Sequence, residues 1–144
     1  MNYSQAANIY SQTKVRTSGR GQLIVMLYEE AVKQMGIAQE IMESPENRDP
    51  GNIEKTNKAI LKTQEIITEL MASLDFEKGG EIAQNLYSLY TFFNKELMTA
   101  NIEKNVEKIK SVKTFMEQLH SAWKEIAKTT VVPEQPVRGL NITG

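Results

Sequence analysis

The chain has 144 residues, with 17 Lys and Arg against 18 Asp and Glu, no cysteine and a formal net charge of −1. This excludes disulfides, thiol catalysis and cysteine-ligated metals, and the interleaved lysines and glutamates leave no broad basic field for nucleic acid. One domain is expected, large enough to bury about 70% of the surface its unfolded chain would expose.

The N-terminus, Met1-Asn2-Tyr3-Ser4-Gln5, carries neither a basic cluster nor an apolar run, and nothing later approaches ~18 continuous apolar residues. A soluble, cytoplasmic protein without membrane insertion is the expectation. Residues 1–18 read as a polar N-terminal cover segment in which Ala6, Ala7, Ile9, Tyr10 and Thr13 to Val15 can make a short helix. Lys14, Arg16 and Arg20 form a local basic patch, and Gly19-Arg20-Gly21 is expected to interrupt the chain before the first long helix.

That helix carries Ile24, Tyr28, Ala31, Met35, Ala38 and Met42, steps of four and three that place one stripe against a partner. It should end near Ser44, where Pro45 opens a polar loop through Gly51. A second helix, from about Asn52 to Leu74, repeats Ile53, Ile60, Ile67 and Leu74 every seven residues. Thr56, Asn57, Thr63 and Gln64 are polar positions in its seam.

The acidic stretch Asp75-Phe76-Glu77-Lys78 then pivots on Gly79-Gly80, which reads as a helix–helix turn. It lacks the lysine, the hydroxyl and the spaced glycines of a phosphate-binding loop. A third helix is expected from Gly80 to about Ala100 on Ile82, Leu86, Leu89, Phe93, Leu97 and Ala100, with Asn101 closing it or capping the next. Tyr87, Tyr90 and Phe92 fall off that stripe, which leaves either a wide buried face or a partly exposed apolar groove.

A fourth helix, from about Ile102 to Lys128, uses Val106, Ile109, Val112, Met116, Leu119, Trp123 and Ile126. Residues 129–144, with prolines, glycines and scattered aliphatics, read as a mobile C-terminal tail. Four helices with short connections predict an all-α, antiparallel up-down-up-down four-helix bundle over residues 19–128.

No catalytic constellation is visible. Glu117 and His120 have the spacing of a metal-ligand pair on one helical face, but His120 is the only histidine, and a one-chain di-metal site of that type needs a second pair. No cofactor is expected. What remains is recognition, carried by the aromatic third helix and by Met26, Met71, Met98 and Met116, side chains suited to an adaptable partner although each also fits a core.

In order along the chain stand Tyr10, Val15-Arg16-Thr17, Leu23 to Tyr28, Leu74 to Leu86, Ala100-Asn101 and Ala122-Trp123. This ordered set, spanning residues ~10 to ~127, resembles the flagellin-specific export chaperone family, FliS. The resemblance implies a helical bundle that binds the disordered C-terminal region of flagellin and so prevents premature polymerisation and aids export, with no enzymatic activity. It also implies that the N-terminal segment occupies part of the same groove, with Ile9, Tyr10, Val15 and Thr17 as cover and contact residues and Tyr87 and Tyr90 as groove candidates. Leu23, Leu27 and Trp123 are assigned to the core. The flagellar export gate and a competing regulator are further candidate partners, and a monomer or weak homo-oligomer is expected.

One departure stands out: the family commonly leads into the first long helix with Ser-Pro-Glu, whereas this chain has Ser18-Gly19-Arg20-Gly21. Glycine is not pre-organised as proline is at a first helical position, so a looser hinge is expected there. The rival reading is a self-associating structural or signalling module that dimerises through the same apolar faces. A small-molecule-binding bundle has least support, because no convergent polar cluster falls on inward positions.

Overall fold

The computed structural model describes residues 20–130, which form α1 (Arg20–Met42), α2 (Pro50–Ala72), α3 (Phe76–Glu103) and α4 (Val106–Thr130). The expected stripe of α1 is buried in full: Ile24, Tyr28, Ala31, Met35, Ala38 and Met42 all face the core. Ala31 and Ala38 let neighbouring helices approach closely, and α1 packs most extensively, against α2 and α4. The helix starts earlier than the glycines suggested, for Gly21 already lies inside α1. The expectations for Ile9, Tyr10, Val15, Thr17, the Ser18-Gly19 hinge and the tail after Thr130 fall outside the described residues.

The helices alternate in direction. Lys110 of α4 reaches Glu43 just past the end of α1 at 3.6 Å, and His120, further along α4, lies beside Glu29, nearer the start of α1. Gln64 of α2 donates to the Asn94 carbonyl of α3 at 3.1 Å, while Lys104 reaches back to Asn57 at 2.7 Å. Lys108 of α4 pairs with Glu96 of α3 at 3.3 Å. These contacts close an up-down-up-down bundle in which α3 is the least tightly packed member.

The polar seam of α2 is satisfied both across to α3, through Gln64 and Asn57, and within the helix. Thr63, fully buried, donates to the Ala59 carbonyl one turn back at 2.9 Å, so its hydroxyl is removed from water without loss. Loop residues finish the helix ends: Asn47 donates to the Met42 carbonyl at 2.9 Å, and Pro50 occupies the first turn of α2.

Two boundaries differ from expectation, each through a cap. Helix α3 begins at Phe76 rather than Gly80, because the Asp75 carboxylate accepts from the Glu77 and Lys78 amides at 3.0 Å and nucleates a turn. Gly80 then breaks that turn from the rest of the helix with φ 50° and ψ −125°, a conformation suited to glycine. At the other end α3 runs past Ala100-Asn101 to Glu103, and Lys104 closes it in the left-handed region at φ 53°. The cap of α4 is Asn105, whose side-chain oxygen accepts from the Glu107 and Lys108 amides, while Asn101 accepts from the Lys104 ammonium.

Downstream of the Gly80 break, the inward register of α3 is Ala83, Tyr90, Phe93, Leu97 and Ala100. Ile82, expected in the core, is 70% exposed, and Ile126 of α4 is also turned outward. Leu27 is buried, and Leu23 and Trp123 pack as partly buried residues against the core.

Candidate partner-binding groove

The inward rotation of Ala83 and Tyr90 leaves an apolar recess at the end of the bundle where α1 and α3 begin and α2 and α4 finish. It encloses about 240 Å³. Ile24 and Tyr90 form the floor, Leu74, Leu86 and Trp123 the walls, and Ile82 and Ile126 the rim. No charged side chain lines it. Of its two hydroxyl side chains, Ser73 donates to the Leu70 carbonyl at 2.7 Å and Tyr90 is bonded to Tyr28. A recess of this composition gains free energy only by covering apolar surface, at about 25 cal/mol per Å².

The turn Phe76 to Gly79 stands beside it. Gly79 belongs to the wall, and Phe76 sets its ring edge-on to Tyr87 with centroids 5.9 Å apart. Both rings are exposed. Phe76 and Tyr87 thus form an exposed aromatic pair near the recess but outside its lining.

Beneath the floor, the Tyr90 hydroxyl meets that of Tyr28 at 2.5 Å, and the Trp123 indole is a second hydrogen-bond partner of Tyr28. Burial pushes the Tyr90 phenol up to about 12 and the Tyr28 phenol higher still, so the pair is neutral at physiological pH. The groove thus rests on a rigid, uncharged polar contact.

Of the groove candidates named from sequence, Tyr90 is 1% exposed and supplies the floor as a core residue, whereas Tyr87 is exposed beside Phe76. Sequence reading missed Ile82 and Ile126 as rim residues because both fit the helical stripe, and missed Phe76 because it was placed in a turn. The signal for Ile82 was its position two residues past Gly80, in the first turn after the break at the end of the bundle, where fewer neighbours cover it.

The opposite end differs in chemistry. There Met42, Asn47, Arg48, Ile53, Thr56, Glu103 and Lys104 surround a recess of about 300 Å³. The Lys104 ammonium is held by Asn57 and Asn101, each at 2.7 Å, and partial burial lowers its pKa. His120 Nε2 lies 3.5 Å from Glu29 without hydrogen-bond geometry, and Glu117 faces Lys113 at 3.9 Å. Among the described residues no group of three or more acidic or histidine side chains converges on a metal site, and no helix is long and apolar enough to cross a membrane.

Residues 2–130 match the family described as Flagellar protein FliS. The chain is 32% identical to the flagellar secretion chaperone FliS of Campylobacter jejuni over 93% of its own length and 100% of that protein. It is also 32% identical to the protein of the same name from Salmonella typhimurium, covering 84% of this chain and 86% of the relative. The Bacillus subtilis flagellar secretion chaperone FliS is 27% identical over 81% of each chain.

Proposed function

The chain belongs to the FliS family of flagellar proteins, and from that premise we propose that it is a cytosolic, non-enzymatic export chaperone whose apolar groove receives the disordered C-terminal region of flagellin. Binding there masks the segment through which flagellin subunits would polymerise and holds it unfolded for export. The observation that carries this reading is the uncharged recess rimmed by exposed Ile82 and Ile126. An amphipathic helix laid into such a groove buries its apolar face there. Coupled folding and binding of this kind buries about 1,000 to 3,000 Å² and must offset an ordering cost of about 2 to 5 kcal/mol or more.

Residues 1–18 act, in this proposal, as a cover that lies over part of the same groove until the client arrives, with Ile9, Tyr10, Val15 and Thr17 as its contacts. The export gate and a competing regulator would meet the complex afterwards. The test is calorimetric titration of the protein with a synthetic peptide of the flagellin C-terminal region from the same source, with peptide helicity followed in parallel. One-to-one binding with a negative heat-capacity change and a gain of helix supports the proposal. Absence of binding at high micromolar peptide, together with stability that rises with protein concentration, would favour the self-associating module instead.

A further inference from the structure

A second uncharged surface lies between α3 and α4, away from the groove. On α3 its exposed residues Asn85, Ser88 and Phe92 are uncharged. On α4 the exposed Ser111, Thr114, Phe115, Gln118 and Ser121 are likewise uncharged; Lys110 borders them but is paired with Glu43 and Glu107 at 3.6 Å, and Lys113 and His120 turn toward Gly36 and Glu29 of α1. The Glu96–Lys108 pair closes this strip at one end. At its centre Phe92 and Phe115, 49% and 42% exposed, flank buried Phe93 with ring centroids 6.3 and 5.3 Å from it. A single exposed phenylalanine needs no account, but two of them around a third in a strip without charge form a surface fit to be covered.

The course of the chain identifies an occupant. Helix α4 reaches Thr130, one turn beyond Ile126 on the groove rim, and residues 131–144 follow. Pro133 and Pro136 cannot continue the helix. Phe115 lies about 22 Å back along α4, at the usual helical rise. The remaining residues can span about 46 to 50 Å when extended, so the reach is ample. Leu140 and Ile142 are two apart, which puts them on one side of an extended chain. The charged residues of this segment, Glu134 and Arg138, both precede them, so an uncharged stretch meets an uncharged strip and no charge is stranded in the contact.

We propose that residues 131–144 fold back antiparallel to α4 and lay Leu140 and Ile142 over Phe115 and Phe92. This contact goes beyond the client-binding reading and does not depend on it.

The chain has no cysteine, so Asn141→Cys accepts a single nitroxide label. In dilute protein the label should extinguish the amide signals of Ser88, Phe92, Phe115 and Gln118 and spare those of Ile37 and Leu61 on α1 and α2. Adding Leu140→Asp and Ile142→Asp should restore them. Unchanged strip signals overturn the proposal, as does attenuation confined to Ile82 and Ile126, which would put the segment in the groove. Attenuation that appears only when labelled protein is mixed with unlabelled, isotope-enriched protein also overturns it, since the contact would then come from a second copy.

Discussion

The Tyr28 and Tyr90 hydroxyls meet at 2.5 Å across the bundle, joining α1 to the diagonally opposite α3. Tyr28 has the Trp123 indole as a further partner, and the buried Tyr90 hydroxyl relies on Tyr28. Removing one partner of a buried pair leaves the other unsatisfied, at a cost of about 1 to 3 kcal/mol. Tyr28→Phe should therefore destabilise by that amount, whereas Tyr90→Phe should cost less because Tyr28 keeps Trp123. The double variant should lose less than the sum of the two. Urea denaturation of the three variants measures this, and strict additivity would contradict the coupling.

The same pair should lower the stability of the fold at alkaline pH. Both phenols have folded-state pKa values above their ordinary 10.0, chiefly through burial, with Tyr90 raised to about 12. The stabilisation of the neutral pair is therefore complete below pH 10 and is lost as the pH rises through about 12. Denaturation midpoints between pH 9 and 12 should fall in the parent and fall less steeply in the doubly substituted Phe variant, which corrects for lysine deprotonation. Parallel profiles would remove the tyrosines from the explanation.

Groove occupancy is tested at the rim. Ile82→Asp and Ile126→Asp replace exposed side chains, so the fold should change by little, about 0.5 kcal/mol or less. A carboxylate in the client contact should weaken the flagellin peptide by tenfold or more, about 1.4 kcal/mol or above. Tyr87→Ala should have a smaller effect, since its ring leans on Phe76 outside the recess. Calorimetry on the three variants, with thermal denaturation as the control, separates them.

Two glycines should respond in opposite directions. Gly36 lies within α1, where an added methyl would sit 3.9 Å from the Lys113 Cε, an ordinary contact. Gly36→Ala should stabilise the protein by about 0.5 to 1 kcal/mol. Gly80→Ala has open space for its methyl, yet φ of 50° strains any L residue there, so it should destabilise the start of α3. Denaturation midpoints that shift the same way in both variants would disprove the backbone argument.

The four helices were legible because their apolar repeats are long and the residues between them are turn formers. Ile60, Ile67, Met35 and Met116 are buried where the repeat placed them. What periodicity could not supply was the effect of single backbone events. Asp75 adds a turn before Gly80, and along the helix that follows the inward face drifts across the stripe, so Phe93, Leu97 and Ala100 are buried as the repeat placed them while Tyr90 replaces Leu89 as the deeply buried residue and Ile82, at the bundle end, faces outward. Similarly, Asn101 and Asn105 are both competent caps by type, and only the left-handed Lys104 between them decides which one acts. The groove was legible as an aromatic surplus on the third helix, but its walls come from all four helices, and no single stretch of sequence records that convergence.

Gly79 forms part of the groove wall and Gly80 is the one residue inside α3 with non-helical torsions. The short block in front of it is capped by Asp75 and braced only by the Phe76–Tyr87 ring contact. The Gly79 portion of the wall is therefore set by one residue's torsions, so a change at Gly80 would move that portion like a caliper jaw without unwinding any helix.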